Sequence, residues 1–301
     1  MSDFISSSTV LPNTTFPKKR RRRIMPFFGL SLGISIFSLS CLVILPFVMM
    51  VLTSLDMKAT DIIDTIFKPQ VFFAIKLSLG MAILATLTNL IFGTLIAWVL
   101  VRYDFFGKSF MNALVDLPFA LPTSVMGIAL ATLYAPNGLF GKFFSDVGVY
   151  LFDKPIKIAF TPIGIWLALI VVSFPFIVRA VQPVLSEISI EVEEVAATLG
   201  ASRLTIFYKI IFPELVPSIL IGAGMMFARA TGEYGSVIFI AGNIPMQSEI
   251  LPLIIISKLE QFDVSGASCV ALFMLLLSMV VLFTINTLQW QFSKKLGVKI
   301  G

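Results

Sequence analysis

The sequence predicts an all-α polytopic membrane protein with six transmembrane helices, and three observations carry that reading. The first is composition. The chain is 57% hydrophobic and only 13% charged, with a mean hydropathy of +0.98, where soluble domains carry about 25% charged residues. The second is the spacing of its apolar runs: six reach the roughly 20 residues that a helix needs to cross a bilayer. They lie at about 27–52, 72–101, 111–134, 158–181, 215–240 and 266–290. The third is the placement of Lys and Arg: 14 of the 22 fall on one side, nine of them in the two tails, against seven on the other (Lys58, Lys68, Lys76, Lys142, Lys154, Lys157 and Lys258), a bias in the sense of the positive-inside rule.

Residues 1–26 precede the first run. They are polar, carry Lys18-Lys19-Arg20-Arg21-Arg22-Arg23, and read as a disordered basic tail. A nuclear signal or nucleic-acid patch fits the same string. Beside a membrane span it reads as a topology determinant in contact with anionic lipid, with no nucleic acid as partner. The first run is too long for a secretory leader and its N-terminal flank is no short n-region, so it reads as a retained anchor. Its Gly29 and Gly33 form a GxxxG pair, a small-residue packing face.

The third run contains Leu117-Pro118-Phe119-Ala120-Leu121-Pro122. Prolines break helices in water, but in a bundle neighbouring helices and hydroxyls take up the freed carbonyls. The connections bearing Arg102 and Lys108, and Arg203 and Lys209, fall on the same side as the basic tail, with Arg179 at the inner end of span four. So do Lys294, Lys295 and Lys299 in the tail 292–301. Both termini are therefore expected to be cytoplasmic, or stromal in a plastid. Cys41 and Cys269 lie in apolar runs and mark no disulfide framework. The absence of histidine excludes His-based acid–base catalysis and His metal ligation.

The connection at about 184–213 is the most informative segment. Ser189 can cap a helix whose first turn holds Glu191, Glu193 and Glu194, negative charge on the positive end of the dipole. Val192, Val195, Ala196 and Leu199 recur at i, i+3, i+4 and i+7 as one apolar stripe. Gly200 is a natural stop one residue past the C-cap. Ser202 can open a second short helix with Phe207, Ile210 and Ile211 on one side, which Pro213 is expected to end. Periodicity alone leaves two readings: an interfacial helix or solvated connector, and a handle for a soluble partner.

Glu194-Val195-Ala196-Ala197-Thr198-Leu199-Gly200, with Ile210 and Pro213 following at fixed spacing, resembles the EAA loop of binding-protein-dependent ABC importers. Val195 and Phe212 stand where that family usually has alanine and leucine, but Glu194, Ala196 and Gly200 keep register. The resemblance implies a type I importer permease fold over 27–291 and a coupling helix that docks on an ATPase. Glu194, Ala196, Ala197, Gly200, Ile210 and Pro213 would carry that docking. Asp116-Leu117-Pro118-Phe119-Ala120-Leu121-Pro122-Thr123, Ser173-Phe174-Pro175-Phe176 and Gly232-Glu233-Tyr234-Gly235-Ser236-Val237 are similar to the sulfate/thiosulfate permeases, the T member of their T and W pair. This implies a complex of this chain, a W-type permease, two ABC ATPase copies and an external sulfate-binding protein. It would import sulfate across a bacterial inner membrane or the chloroplast inner envelope. Molybdate or tungstate permeases share part of the pattern and are the near alternative.

The chain is not expected to be an enzyme, and no catalytic residue, metal or cofactor is assigned to it. Its Gly107-Lys108-Ser109 has Arg102 where a phosphate-binding loop needs its first glycine, so ATP and Mg belong to the partner subunit. An ion-coupled secondary transporter would want ionisable residues on several facing helices. Here the intramembrane charges are Arg229 and Glu233 on span five and Asp116 near the inner third of span three. Arg229 and Glu233 stand four apart, so they either neutralise each other or present a cation to a passing anion.

Overall fold

The computed structural model describes residues 28–295, and all the regular structure among them is helical. The basic tail and the last six residues lie outside the described region. The chain divides into two units, Met1–Met49 and Met50–Gly301. The first contains α1 (Phe28–Leu39), a π-helical turn (Ser40–Ile44) and the start of α2 (Leu45–Leu55). None of the residues from Phe28 to Ile44 is buried. An added Cβ at Gly29 or Gly33 would meet no atom within 4 Å.

In the second unit, α3 (Ala59–Phe67) leads into α4 (Pro69–Arg102), a single 34-residue helix. At 1.5 Å per residue it is about 50 Å long. Pro69 starts it where a missing N–H costs nothing. Next come α5 (Lys108–Ala120), α6 (Thr123–Tyr134), α7 (Leu139–Phe152) and α8 (Pro162–Glu187). The rest is α9 (Ile190–Thr198), α10 (Arg203–Ile206), α11 (Phe212–Thr231), α12 (Val237–Ala241), α13 (Leu251–Glu260) and α14 (Val264–Lys295).

Among the described residues five helices are long and apolar enough to cross a membrane, and a bent pair raises the number to six. That pair is the predicted third span. It is not one rod: α5 and α6 meet at 111°. Leu121 has extended torsions (φ −93°, ψ 139°) because Pro122 follows it, and the proline ring excludes the helical conformation from the residue before it. The predicted fifth span, 215–240, is corrected as well. Its helix stops at Thr231, Gly232 caps it, and a four-residue turn separates it from the short α12. Pro213 does not end the preceding helix. The chain runs from Arg203 to Thr231 as one candidate span through a π-helical turn at Phe207–Ile211, in which the Phe212 N–H reaches back to the Phe207 carbonyl. The wider turn relieves the clash between a proline ring and the carbonyl four residues earlier. The last helix continues past 291 to Lys295.

The core is built where α4, α8 and α11 meet. Ile177 of α8 is fully buried, and it fits between two glycines. A Cβ at Gly93 of α4 would stand 2.1 Å from its Cγ2, and one at Gly222 of α11 would stand 2.7 Å from its Cδ1. Small residues let three helices approach closely, which is how helices associate where lipid removes the hydrophobic driving force. A buried polar bridge supports the same seam. Asn89 donates to the Ile170 carbonyl (2.9 Å) and to Ser173 Oγ (3.0 Å). Such bonds average about 0.6 kcal/mol in membranes. One apolar cluster, around Val181, Leu185, Ile206, Ile211 and Leu215, packs beneath the 184–213 connection.

Candidate functional site: the 184–213 loop and its anchors

The loop helix α9 is delimited by its own residues. Ser189 Oγ accepts from the Glu191 N–H (3.2 Å), and Ser202 Oγ caps α10 by accepting from Thr205 N–H (3.2 Å). At the other end of α9, Gly200 adopts φ +86°. Its N–H donates to Ala197 O (3.0 Å) and the Ala201 N–H donates to Ala196 O (3.1 Å). These paired reverse bonds form a Schellman motif, with the glycine in its left-handed position.

The predicted stripe does not point one way. Ala196 packs toward the core with Ala201, while Val192, Val195 and Leu199 stand 47%, 58% and 84% exposed. Glu194, Ala197 and Gly200 are exposed too. Ile210 and Pro213 are half-buried, Ile210 against the inner core. The six residues therefore separate: Glu194, Ala197 and Gly200 lie on an open surface, and Ala196, Ile210 and Pro213 sit in the supporting layer.

Sequence reading missed what ties this loop to the helices. Arg102, in the last turn of α4, has a side chain only 10% exposed and places Nη2 2.6 Å from Glu193 Oε1. The same nitrogen donates to Ile188 O (3.1 Å), and the guanidinium lies over Trp98, 5.8 Å from the ring centroid. Trp98 in turn meets Phe207 edge to face at 5.5 Å. The one available signal was the cation at the helix C-terminus, a position favoured by the dipole.

A second anchor joins α5 to α8. Arg179 Nε donates to Asp116 Oδ1 (2.8 Å), and its Nη2 pairs with the other Asp116 oxygen and donates to Asn112 O (3.3 Å). Its Nη1 donates to Gln182 Oε1 (2.7 Å) and Asn112 Oδ1 (3.3 Å). All five guanidinium N–H groups are thus engaged. Above this clamp, the α5–α6 bend and α8 enclose an apolar cleft of about 420 Å³ lined by Leu117, Pro118, Leu121, Met126 and Phe174.

Arg229 and Glu233 lie together, but not on one helix. Arg229 is in the last turn of α11 and Glu233 is in the turn beyond Gly232. Arg229 Nη1 is 2.5 Å from Glu233 Oε2, with Glu233 1% exposed and Arg229 34%. The remaining carboxylate oxygen accepts from the Ser236 N–H (2.8 Å) and Oγ (2.9 Å). Glu233 therefore holds the end of α11 to the start of α12, while its arginine keeps an open edge.

Outside the spans, two carboxylates among the described residues are shifted. Hydrogen bonding to Lys258, with help from the Gly266 N–H, holds Asp263 below the usual aspartate range. The Lys108 ammonium does the same for Asp104 in the exposed turn before α5.

Comparisons with known proteins give the family and the fold. Residues 89–297 match the family model of the binding-protein-dependent transport system inner membrane component. The chain is 44% identical over 274 residues to the sulfate transport system permease protein CysT of Salmonella typhimurium, covering 91% of this chain and 96% of that one. It is 43% identical to the Escherichia coli protein of the same name, with the same coverage. It is also 43% identical over 254 residues to a probable CysT of Nephroselmis olivacea, covering 84% and 87%. A solved bacterial ABC transporter involved in the import of the acidic polysaccharide alginate shares the fold, with a TM-score of 0.69 at 16% identity over 87% of this chain and 94% of that one. The same holds for the alginate transporter in complex with an alginate pentasaccharide-bound periplasmic protein, with a TM-score of 0.72 at 17% identity over 91% and 95%. The chain belongs to the inner membrane components of binding-protein-dependent transport systems, and within them it is similar to the permeases named CysT.

Proposed function

We propose that this chain is the T-type permease subunit of an ATP-driven importer of sulfate, or thiosulfate, and forms half of its translocation pore. The observation that carries the reading is 44% identity maintained over 91% of the chain to a sulfate transport system permease protein. An exposed helix at the register expected of a coupling loop supports it. The other half of the pore is a W-type permease. Two copies of an ABC ATPase supply ATP and Mg chemistry, and an external sulfate-binding protein delivers the anion. This chain binds no cofactor of its own. Glu194, Ala196, Ala197 and Gly200 form the docking helix, with Ile210 and Pro213 behind it.

The mechanism is alternating access. ATP binding closes the motor dimer, the docking helix moves with it, and the pore turns from inward-facing to outward-facing. Hydrolysis reverses the change and releases the anion inward. A ligand shifts such an equilibrium only through its differential affinity for the two states, so the driving free energy is that of ATP at the partner. The site of action is a bacterial inner membrane or a chloroplast inner envelope, with both termini on the ATPase side. The deciding experiment is uptake of labelled sulfate by the reconstituted complex, with and without ATP, with thiosulfate and molybdate as competitors. ATP-dependent uptake blocked by thiosulfate and not by molybdate is expected. Stronger block by molybdate than by sulfate itself would move the substrate to the oxyanions of molybdenum and tungsten.

A further inference from the structure

We propose that Arg102 is the positioning residue through which displacement of the docking helix α9 moves the pore helix α4. The proposal rests on the importer reading above. It starts from how few contacts tie α9 to the rest of the chain. The helix is joined covalently to α8 through Ile188 and Ser189. Its other acidic residues, Glu191 and Glu194, are exposed and form no ion pair among the described residues. Among the described residues the one side chain from another element that pairs with its charged face is Arg102, through Glu193, and the same guanidinium holds the hinge carbonyl of Ile188.

Two features distinguish this contact from an ordinary clamp. The Arg179 guanidinium uses all five of its donors, as a purely structural tie between α5 and α8 should. Arg102 is more buried yet less satisfied. Its Nε is enclosed without a hydrogen-bond partner, and Glu193 Oε1, although 2.6 Å away from Nη2, receives no well-directed hydrogen bond. Buried groups left short of partners cost free energy, and where they persist they call for an explanation. A contact remade when α9 moves supplies one: the charges stay paired while the angles change. The second feature is leverage. Arg102 ends a continuous helix about 50 Å long that packs on α8 and α11 along its length. A push at its last turn therefore travels as a rigid-body shift. The Trp98–Phe207 contact adds an apolar bearing on the far side of the loop, at a π-helical turn.

The test uses the whole reconstituted complex carrying Arg102→Gln, Glu193→Gln, or the exchange Arg102→Glu with Glu193→Arg. Three quantities are read: assembly, ATP hydrolysis, and sulfate transported per ATP hydrolysed. Each single variant should assemble and hydrolyse ATP within about twofold of native, while transport per ATP falls at least tenfold. The exchange restores the ion pair but sets a carboxylate, which cannot donate, beside the Ile188 carbonyl, so it should recover the native ratio in part, to at least threefold above either single variant. A structural role would lower assembly and both activities together and leave the ratio unchanged, and that result overturns the proposal. Failure of both single variants to assemble, without rescue by the exchange, overturns it as well. A readout independent of the substrate keeps this separate from the importer reading. Spin labels at Leu87→Cys on α4 and Val280→Cys on α14, with Cys41 and Cys269 replaced by serine, should change separation on ATP binding in the native background. In Arg102→Gln they should not. If that movement is seen and no sulfate is taken up, the substrate reading fails and the transmission role stands.

Discussion

Gly200 offers a test in which two physical effects separate cleanly. Its φ of +86° is left-handed, and a Cβ built on it would meet nothing within 4 Å. Within this chain, then, a side chain there costs only backbone strain, about 1–2 kcal/mol for a residue with a Cβ. That is a factor of about 5–30 in the population of the native turn. The turn is held by two reverse hydrogen bonds, and no span is touched, so Gly200→Ala should insert, assemble and keep a measurable part of its uptake. Asparagine tolerates the left-handed region better than alanine, so strain alone ranks Asn above Ala and Leu, with the last two about equal. Docking volume ranks the variants by size instead: Ala first, then Asn, then Leu. The exposed surface around Glu194, Ala197 and Leu199 is expected to be covered in the complex, so the second order should hold and Gly200→Leu should abolish uptake. The assay is ATP-dependent uptake alongside co-purification of the ATPase with each variant. Normal uptake by Gly200→Leu would remove the docking role altogether, and Asn above Ala, with Leu equal to Ala, would reduce it to turn geometry.

Arg229→Met leaves the buried Glu233 without its cation, a loss of about 3–5 kcal/mol when a buried pair is broken, and should impair assembly. Adding Glu233→Gln keeps an acceptor for the Ser236 donors and should restore both assembly and most uptake; an assembled, ATP-hydrolysing but transport-dead double variant would place Arg229 in the anion's path. Gly127→Ala drives a Cβ to 2.4 Å from the Ser236 carbonyl oxygen, backbone that cannot rotate away, and should lower stability by about 1–3 kcal/mol in a detergent melt, where an unchanged midpoint would contradict the α6–α12 packing. Asp263 is depressed in the folded state by Lys258, so its contribution is complete above the ordinary aspartate value and is lost as pH falls through the lowered one. The melting midpoint of native protein should drop in that acid window and that of Asp263→Asn should drop less, while Asp263→Ala also loses the cap on Gly266 N–H, worth about 1 kcal/mol. For topology, reporters fused after Gly301 and at Lys142 should lie on opposite sides of the membrane; the same side for both would mean an even number of crossings between them.

The sequence by itself determined whatever depends on neighbours along the chain. A bilayer dictates span length, so apolar runs located the long helices. The helix α9 was legible down to its caps, because Ser189, Ser202 and Gly200 act on backbone groups two or three residues away. The tertiary structure decided what depends on residues brought from afar. Arg102 meets the Ile188 carbonyl across 86 positions and Arg179 meets Asp116 across 63, and no local pattern couples such pairs. It also decided where prolines break a helix and where they do not. Before Pro122 the chain turns through 111°, whereas at Pro213 a π-helical turn absorbs the ring and the helix continues. Each proline removes the same donor. Whether the backbone bends or widens depends on which neighbouring helices are there to receive it, and that information is held by the packed bundle alone.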